Sequence, residues 1–179
     1  MTTDAPETRE RYPTPMRALH WTRAALILGL VAAGWAMATF GVYALYPLHK
    51  EFGVLAFIVA TTAILVRTRV PHPTPPAGLA RWERTLSGIV HHAMLALTVL
   101  VPLMGYAMSS SYSKSDGVPF FGVELPELLG KDDAAFAVFS RLHSVLAYTL
   151  LALVALHVAG VVKHRFERKP DVDVLPRML

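Results

Sequence analysis

Four long apolar stretches constrain the fold of this chain more than any other feature of its sequence. They run from about Ala24 to Tyr46, from Leu48 to Leu65, from Leu86 to Met108 and from Ala135 to Val162. At about 1.5 Å of rise per residue, helices of this length can cross roughly 30 Å of hydrocarbon. Hydrophobic residues make up 54% of the chain and charged residues 17%, which leaves little polar surface for a soluble protein. We therefore predict an all-α integral membrane four-helix bundle.

The segments outside the apolar stretches are polar or rich in proline. Residues 1–16 contain three prolines and are predicted to form a polar N-terminal arm. Residues 17–168 form the predicted transmembrane domain, and residues 169–179 form a C-terminal tail. A proline-rich loop separates the second stretch from the third, because proline cannot continue a helix there. The longer loop at about 109–134 is expected to lie along the membrane interface.

Lysine and arginine are distributed unequally between the two ends of the predicted bundle. Thirteen of the seventeen belong to the end with both termini and the loop between the second and third stretches. The opposite end has Lys50, Lys114, Lys131 and Arg141. Because cytoplasmic segments of membrane proteins carry the excess of positive charge, we expect both termini to face the cytoplasm. The net charge of +4 is thus explained by topology, and no nucleic-acid binding is expected.

Two histidines, His143 and His157, lie fourteen residues apart on the fourth apolar stretch. Fourteen residues make about 3.9 helical turns, so both side chains leave roughly one face, about 21 Å apart. Ionisable groups inside a membrane span are costly and usually functional, and neutral imidazole is a common ligand of metals and haem. The fourth helix therefore offers one candidate ligand near each membrane surface.

The predicted topology pairs each of these histidines with a second one. His20 lies just before the first stretch at the cytoplasmic side, level with His157. His49 lies at the start of the second stretch at the outer side, level with His143. A single buried histidine is more often a hydrogen-bonded core residue, but four histidines in two depth-matched pairs favour ligands. We predict two bis-histidine sites that hold two haems stacked across the membrane. The chain has no cysteine, which excludes disulfides, iron–sulfur clusters and covalent haem attachment.

Other uses of buried histidine fit the sequence less well. A proton relay would normally add Asp or Glu at mid-depth, and the four stretches contain none there. A zinc site would need ligands that converge on one level with carboxylate or thiolate help. Six-coordinate bis-imidazole iron has no open position for oxygen, so the predicted chemistry is electron transfer.

The sequence around these histidines resembles the bacterial cytochrome b561 family, which is related to the b-type cytochrome subunits of nickel hydrogenases. The resemblance covers about residues 16–168 and rests on RALHW, PLHKEFG, the PTPP loop and HSVLAYTLLALVALH. It implies a four-helix protein of the bacterial inner membrane with two noncovalent b haems. The implied ligands are His20 with His157 and His49 with His143.

Further residues are candidate cofactor contacts. His91 matches, under the resemblance, a histidine of short family members in which a quinone is thought to bind near the inner haem; a structural hydrogen bond is the alternative. Arg141 precedes His143 by two residues, and Arg17 and Arg23 flank His20. Arginine binds carboxylates through its planar fork, so pairing with haem propionates and anchoring at the membrane interface are the two interpretations for each arginine.

The short stand-alone members of the family imply a specific function for this chain. Some of them oxidise superoxide at the outer face and pass the electrons through both haems to ubiquinone. The charge of the outer loop at 109–140 argues against superoxide as the donor, because superoxide is an anion and five acidic residues of the loop outnumber Lys114 and Lys131. Lys50 and Arg141 are candidates for a local positive patch near the outer haem. The alternatives are a cytochrome subunit that exchanges electrons between a periplasmic redox protein and the quinone pool, and a haem protein whose quinone site is not catalytic in isolation.

Overall fold

Four long α-helices make up most of the structure. The computed structural model describes residues 11–70, 73–74, 78–167 and 172–179. The helices are α1 (Thr14–Phe40), α2 (Tyr46–Arg67), α3 (Arg81–Ser111) and α4 (Asp133–Phe166). All four are long and apolar enough to cross a membrane. The prediction of a four-helix membrane bundle is thus confirmed, and α3 continues through Pro102 as one helix.

The first helix begins and ends earlier in the chain than the first apolar stretch, which was predicted to run from about Ala24 to Tyr46. It begins at Thr14, with Pro15 in its first turn, where the missing N–H of proline is no disadvantage. It ends at Phe40 because Gly41 adopts a left-handed conformation, with φ of 65°, and its N–H bonds to the carbonyl of Met37. Residues 14–16 of the predicted arm are therefore helical, whereas residues 1–10 of the arm and 169–171 of the tail lie outside the described residues.

Helix α2 is packed on both sides by its neighbours in the chain. It contacts α1 and α3, and α3 in turn contacts α4. Ala56, Ala60 and Ala63 are buried on α2, and such small side chains let helix backbones approach closely. Among the described residues, α4 makes no comparably extensive backbone contact with α1 or α2. Histidine rings of α1 and α2 nevertheless approach rings of α4, at 6.4 Å for His20 with His157 and 6.1 Å for His49 with His143.

The outer loop contains a β-hairpin that the sequence analysis did not predict. Strands β1 (Val118–Phe120) and β2 (Val123–Leu125) pair antiparallel, and β1 packs against α2 and α3. Between the strands, Phe121 and Gly122 have φ of 45° and 87°. Two successive positive φ values are typical of the two-residue hairpin turn whose twist matches the strands. The loop is thus folded back onto the bundle.

Helix α4 has favourable groups at both of its ends. The Asp132 side chain accepts hydrogen bonds from the backbone N–H groups of Ala134 and Ala135, at 2.9 and 3.2 Å. The last turn carries three basic residues, Lys163, His164 and Arg165. An N-cap carboxylate satisfies the first N–H groups, and cations at the C-terminus complement the helix dipole. These ends fix where α4 begins and stops.

Candidate functional site

His49 on α2 and His143 on α4 face each other near the hairpin end of the bundle. Their ring centroids lie 6.1 Å apart and their planes make an angle of 79°. His143 Nδ1 lies 2.9 Å from the carbonyl oxygen of Val101 on α3. This nitrogen therefore donates a hydrogen bond, which leaves the other ring nitrogen available as a ligand. The Nδ1 atom of His49 is buried and has no hydrogen-bond partner among the described residues, an arrangement that favours a ligand at this site.

Two glycines make room for these imidazole rings. A Cβ atom at Gly105 would lie 3.1 Å from both Cε1 and Nδ1 of His143, and one at Gly34 would lie 3.4 Å from Cε1 of His49. The absence of a side chain at Gly105 lets the His143 ring approach α3 closely enough to reach Val101. Sequence reasoning missed both glycines. Their signal is glycine inside an apolar helix, which is costly there unless a close approach requires it.

The opposite end of the bundle holds a cluster of three histidines. The ring centroids of His20 on α1 and His157 on α4 lie 6.4 Å apart, with an angle of 61° between the planes. His91 on α3 lies closer to His157, with 5.1 Å between centroids. His91 is exposed, and its Nδ1 is 3.4 Å from the Ser87 hydroxyl oxygen. This end therefore offers a histidine pair and a third imidazole beside it.

The spacing of the two cross-helix pairs is that of two imidazoles on opposite sides of one metal atom. With metal–nitrogen bonds of about 2.0 Å, the centroids of two such rings are about 6 Å apart. The pairs His49–His143 and His20–His157 match this value, whereas His91 and His157 are too close for it. Geometry thus separates His91 from the two pairs.

The two pairs lie at different levels of the same helix. His143 and His157 are fourteen residues apart on α4, which places them about 21 Å apart along its axis. Both levels fall within a helix that is long and apolar enough to cross a membrane.

Comparison with known proteins identifies the family. Residues 11–179 match the family model described as prokaryotic cytochrome b561. The chain belongs to this family. It is 29% identical over 177 residues to cytochrome b561 homolog 2 of Escherichia coli strain K12, a match that covers 96% of this chain and 93% of the relative. Cytochrome b561 homolog 1 of the same strain is 21% identical over 170 residues, which cover 89% of this chain and 93% of that protein.

Membership of the cytochrome b561 family defines the general role of this chain. It is a multi-pass protein of the bacterial inner membrane that transfers electrons by means of b-type haem. The side chains present fit this group, because b haem is held by axial ligands without a thioether bond and the chain has imidazoles but no cysteine. The Nδ1 atom of His49, which has no hydrogen-bond partner within the described part of the chain, is consistent with a bound group at this site.

Each histidine pair has arginines close to it in the sequence of the same helix. At the outer pair, Arg141 is exposed and makes no ion pair within the part of the chain that the structure describes. At the inner pair, Arg23 follows His20 by three residues, about one turn of α1. The Nε atom of Arg17 is buried without a described partner. Each end therefore has a guanidinium of the kind that binds a carboxylate such as a haem propionate.

A second group of possible metal ligands lies at the inner end of α3 and α4. The ligand atoms of Glu83, His164 and Glu167 all lie within 4.8 Å of one another. Lys163 is ion-paired with Glu83 and lies 3.5 Å from a carboxylate oxygen of Glu167. Because Lys163 contacts both carboxylates and His164 Nδ1 lies 3.5 Å from Glu167, this group is an ion-pair cluster that joins α3 to α4.

Proposed function

We propose that this chain carries electrons across the membrane through two b haems, from a donor at the outer face to ubiquinone. The observation that supports this most directly is the position of two histidine pairs at opposite levels of α4, with ring spacings of 6.1 and 6.4 Å. In this proposal His49 with His143 would hold the outer haem, and His20 with His157 would hold the inner haem. When bound, the haems supply one-electron chemistry.

The protein's own contribution is to position the ligands and to restrict the chemistry. Two imidazoles per site would hold each haem, and iron held in this way would exchange electrons without binding oxygen. The hydrogen bond from His143 Nδ1 to the Val101 carbonyl fixes the tautomer and the plane of that ring. The apolar helices keep water away from the path between the two levels.

His91 is the proposed contact for ubiquinone. It is exposed on α3, and its ring centroid lies 5.1 Å from that of His157, the nearest of the proposed inner ligands. Reduction of ubiquinone to ubiquinol takes up two electrons and two protons. An imidazole beside the inner pair can donate a hydrogen bond to a quinone carbonyl and deliver a proton to it.

Superoxide is the proposed donor, as in the short stand-alone members that the chain resembles. Two superoxide ions would each lose one electron and become dioxygen, and the two electrons would reduce one ubiquinone. Lys50 follows His49 directly, and its Nζ donates a hydrogen bond to the carbonyl of Gly117 at 2.9 Å. A cation held beside the outer pair attracts an anionic donor.

A positively charged periplasmic redox protein is the second candidate donor, and an acidic groove favours it. The groove has a volume of about 530 Å³, and its lining includes Asp116, Glu124, Glu127 and Lys131. Lys131 is paired with Glu127 at 2.6 Å, so the remaining charge is negative. Such a surface suits a basic protein better than a small anion.

Rapid mixing of the purified, oxidised protein with superoxide, with and without ubiquinone, tests the proposal. We expect superoxide to reduce the haems quickly, and we expect turnover to continue when ubiquinone is present to reoxidise them.

The double variant Glu124→Gln/Glu127→Gln then identifies the donor, and Glu167→Gln at the inner end is its control. Loss of outer acidic charge should raise the superoxide rate a few-fold at low salt, whereas it should lower the rate with a basic protein donor. Intact haem spectra without any reduction by superoxide would exclude superoxide as the donor.

A further inference from the structure

The C-terminal segment folds back onto the inner end of the bundle. We name residues 172–179 the C-terminal clasp; it contains a short 3-10 turn at Leu175–Arg177. Val172 and Asp173 at its start are buried, with 2% and 8% of their surface exposed. Asp173 pairs with the Arg165 guanidinium of α4 at 2.7 Å. The clasp is therefore tied to the helix that carries His157.

Two further hydrogen bonds tie the clasp to other segments of the inner end. The backbone N–H of Tyr12, just before α1, donates to the carbonyl of Arg177 at 3.0 Å. The Arg177 guanidinium donates to the carbonyl of Thr74, in the loop between α2 and α3, at 2.6 Å. The clasp thus connects the start of α1, the end of α4 and the loop between α2 and α3.

One contact leads from the clasp to the inner histidine pair. The Nε1 atom of Trp21 donates a hydrogen bond to the carbonyl of Met178 at 2.9 Å, between residues 157 positions apart in the chain. The Trp21 ring packs edge to face against the His20 ring, with 5.3 Å between centroids and 83° between planes. An indole at a membrane interface normally directs its N–H to water or lipid, whereas this one is held by the chain's own backbone.

We propose that Trp21 is a positioning residue for His20 and that the C-terminal clasp holds it in place. This inference rests on the proposed function, in which His20 is an axial ligand of the inner haem. An indole fixed at its N–H end restricts rotation of the neighbouring imidazole, and the orientation of an axial ligand is one of the means by which a protein tunes haem iron. The clasp therefore sets a property of the inner haem and leaves the outer haem unaffected.

The test compares the two haems within one protein. Trp21→Phe keeps an aromatic ring beside His20 but removes the hydrogen bond to Met178. Deletion of residues 174–179 removes the acceptor and leaves Trp21 in place. Both variants should shift the EPR signal and the midpoint potential of the inner haem, because EPR of an oxidised bis-imidazole haem responds to the angle between the imidazole planes. The signal and potential of the outer haem should not change.

Trp35→Phe is the matched control, because Trp35 lies on the same helix and is 53% exposed, against 48% for Trp21. It should leave both haems unchanged. Unchanged signals in both Trp21→Phe and the deletion variant would overturn the inference, and so would equal disturbance of the two haems, which would indicate a general structural role for the clasp. Failure of the proposed function is recognised separately, because His20→Ala would then leave both haem signals intact.

Discussion

The Nδ1 atom of His143 lies 2.9 Å from the backbone carbonyl oxygen of Val101, and this contact joins α4 to α3 at the outer histidine pair. A backbone acceptor fixes the ring without requiring a particular side chain at position 101. The contact depends on Gly105, because a Cβ atom there would lie 3.1 Å from the donor nitrogen itself. The position of the proposed outer ligand is therefore determined by a residue that has no side chain.

Replacement of Gly105 by alanine should selectively weaken binding of the outer haem. The added methyl group would push the His143 ring away from α3 and disturb its hydrogen bond to Val101. Changes to groups that orient a metal ligand typically cost about tenfold or more in affinity. Haem content per polypeptide and the redox difference spectrum of the purified variant measure the effect, and the inner haem should be retained.

Gly88→Ala on the same helix is the matched control for this prediction. Apart from its chain neighbours and its own helix backbone, a Cβ atom at Gly88 would meet no heavy atom of the described residues within 4 Å. Alanine favours helix by up to about 1 kcal/mol over glycine. This variant should keep both haems. If Gly105→Ala binds the outer haem as well as Gly88→Ala does, then the ring of His143 is not positioned through α3.

The N-cap of α4 gives a stability prediction that is independent of haem. Asp132→Ala removes the acceptor for the N–H groups of Ala134 and Ala135 and should lower stability by about 1 kcal/mol. Thermal unfolding in detergent, followed by circular dichroism, measures this loss. Asp116→Ala, at an exposed aspartate of the same loop that caps no helix, should have a smaller effect. Equal midpoints for the two variants would contradict a capping role.

The sequence predicted the helices and the proposed ligands because both depend on local patterns. Four apolar stretches indicate four spans, and the spacing of His143 and His157 places two imidazoles on one face regardless of how the helices pack. The start of α1 at Thr14 was missed, because its first turns contain charged residues that a search for charge-free stretches excludes. The number of membrane spans was therefore predicted correctly, and their ends were predicted only approximately.

Contacts between segments that are distant in the chain could not be predicted in this way. The approach of Gly105 to His143 depends on the relative rotation and height of α3 and α4, which packing determines. The hydrogen bond from Trp21 to Met178 joins opposite ends of the chain, and Trp21 alone resembles an ordinary interfacial residue. The hairpin at Phe121 has strands of three residues, too short for a clear alternating pattern.

Replacement of His157 by alanine tests the assignment of ligands to the two levels. The inner haem should be lost, because His20 would have no imidazole opposite it at the 6.4 Å spacing. Much of the outer haem should remain, since His143 lies about four turns away along α4 and pairs there with His49 of α2. His143→Ala is the reciprocal variant and should remove the outer haem instead. A His157→Ala protein that keeps both haem signals would show that the ligands are other residues.

Replacement of His91 by alanine should slow quinone reduction without changing either haem spectrum. His91 is exposed and lies 5.1 Å from His157, so it can contact a quinone at the inner pair without being a ligand itself. Loss of a group that donates a hydrogen bond or a proton typically lowers a rate by about 10²-fold or more. Stopped-flow oxidation of the reduced haems by ubiquinone measures this rate, separately from the reaction with the donor.

The neighbouring histidine provides the control for this experiment. His92 is also exposed and follows directly on α3, but it points about 100° away around the helix, and its Nδ1 donates a hydrogen bond to the carbonyl of Gly88 at 2.7 Å. His92→Ala removes the same side chain one position along and should leave quinone reduction unchanged. Equal rates of haem oxidation by ubiquinone in His91→Ala and His92→Ala would indicate that His91 has a structural role and that the quinone binds elsewhere. A rate lowered only in His91→Ala would locate quinone reduction at the inner end of α3.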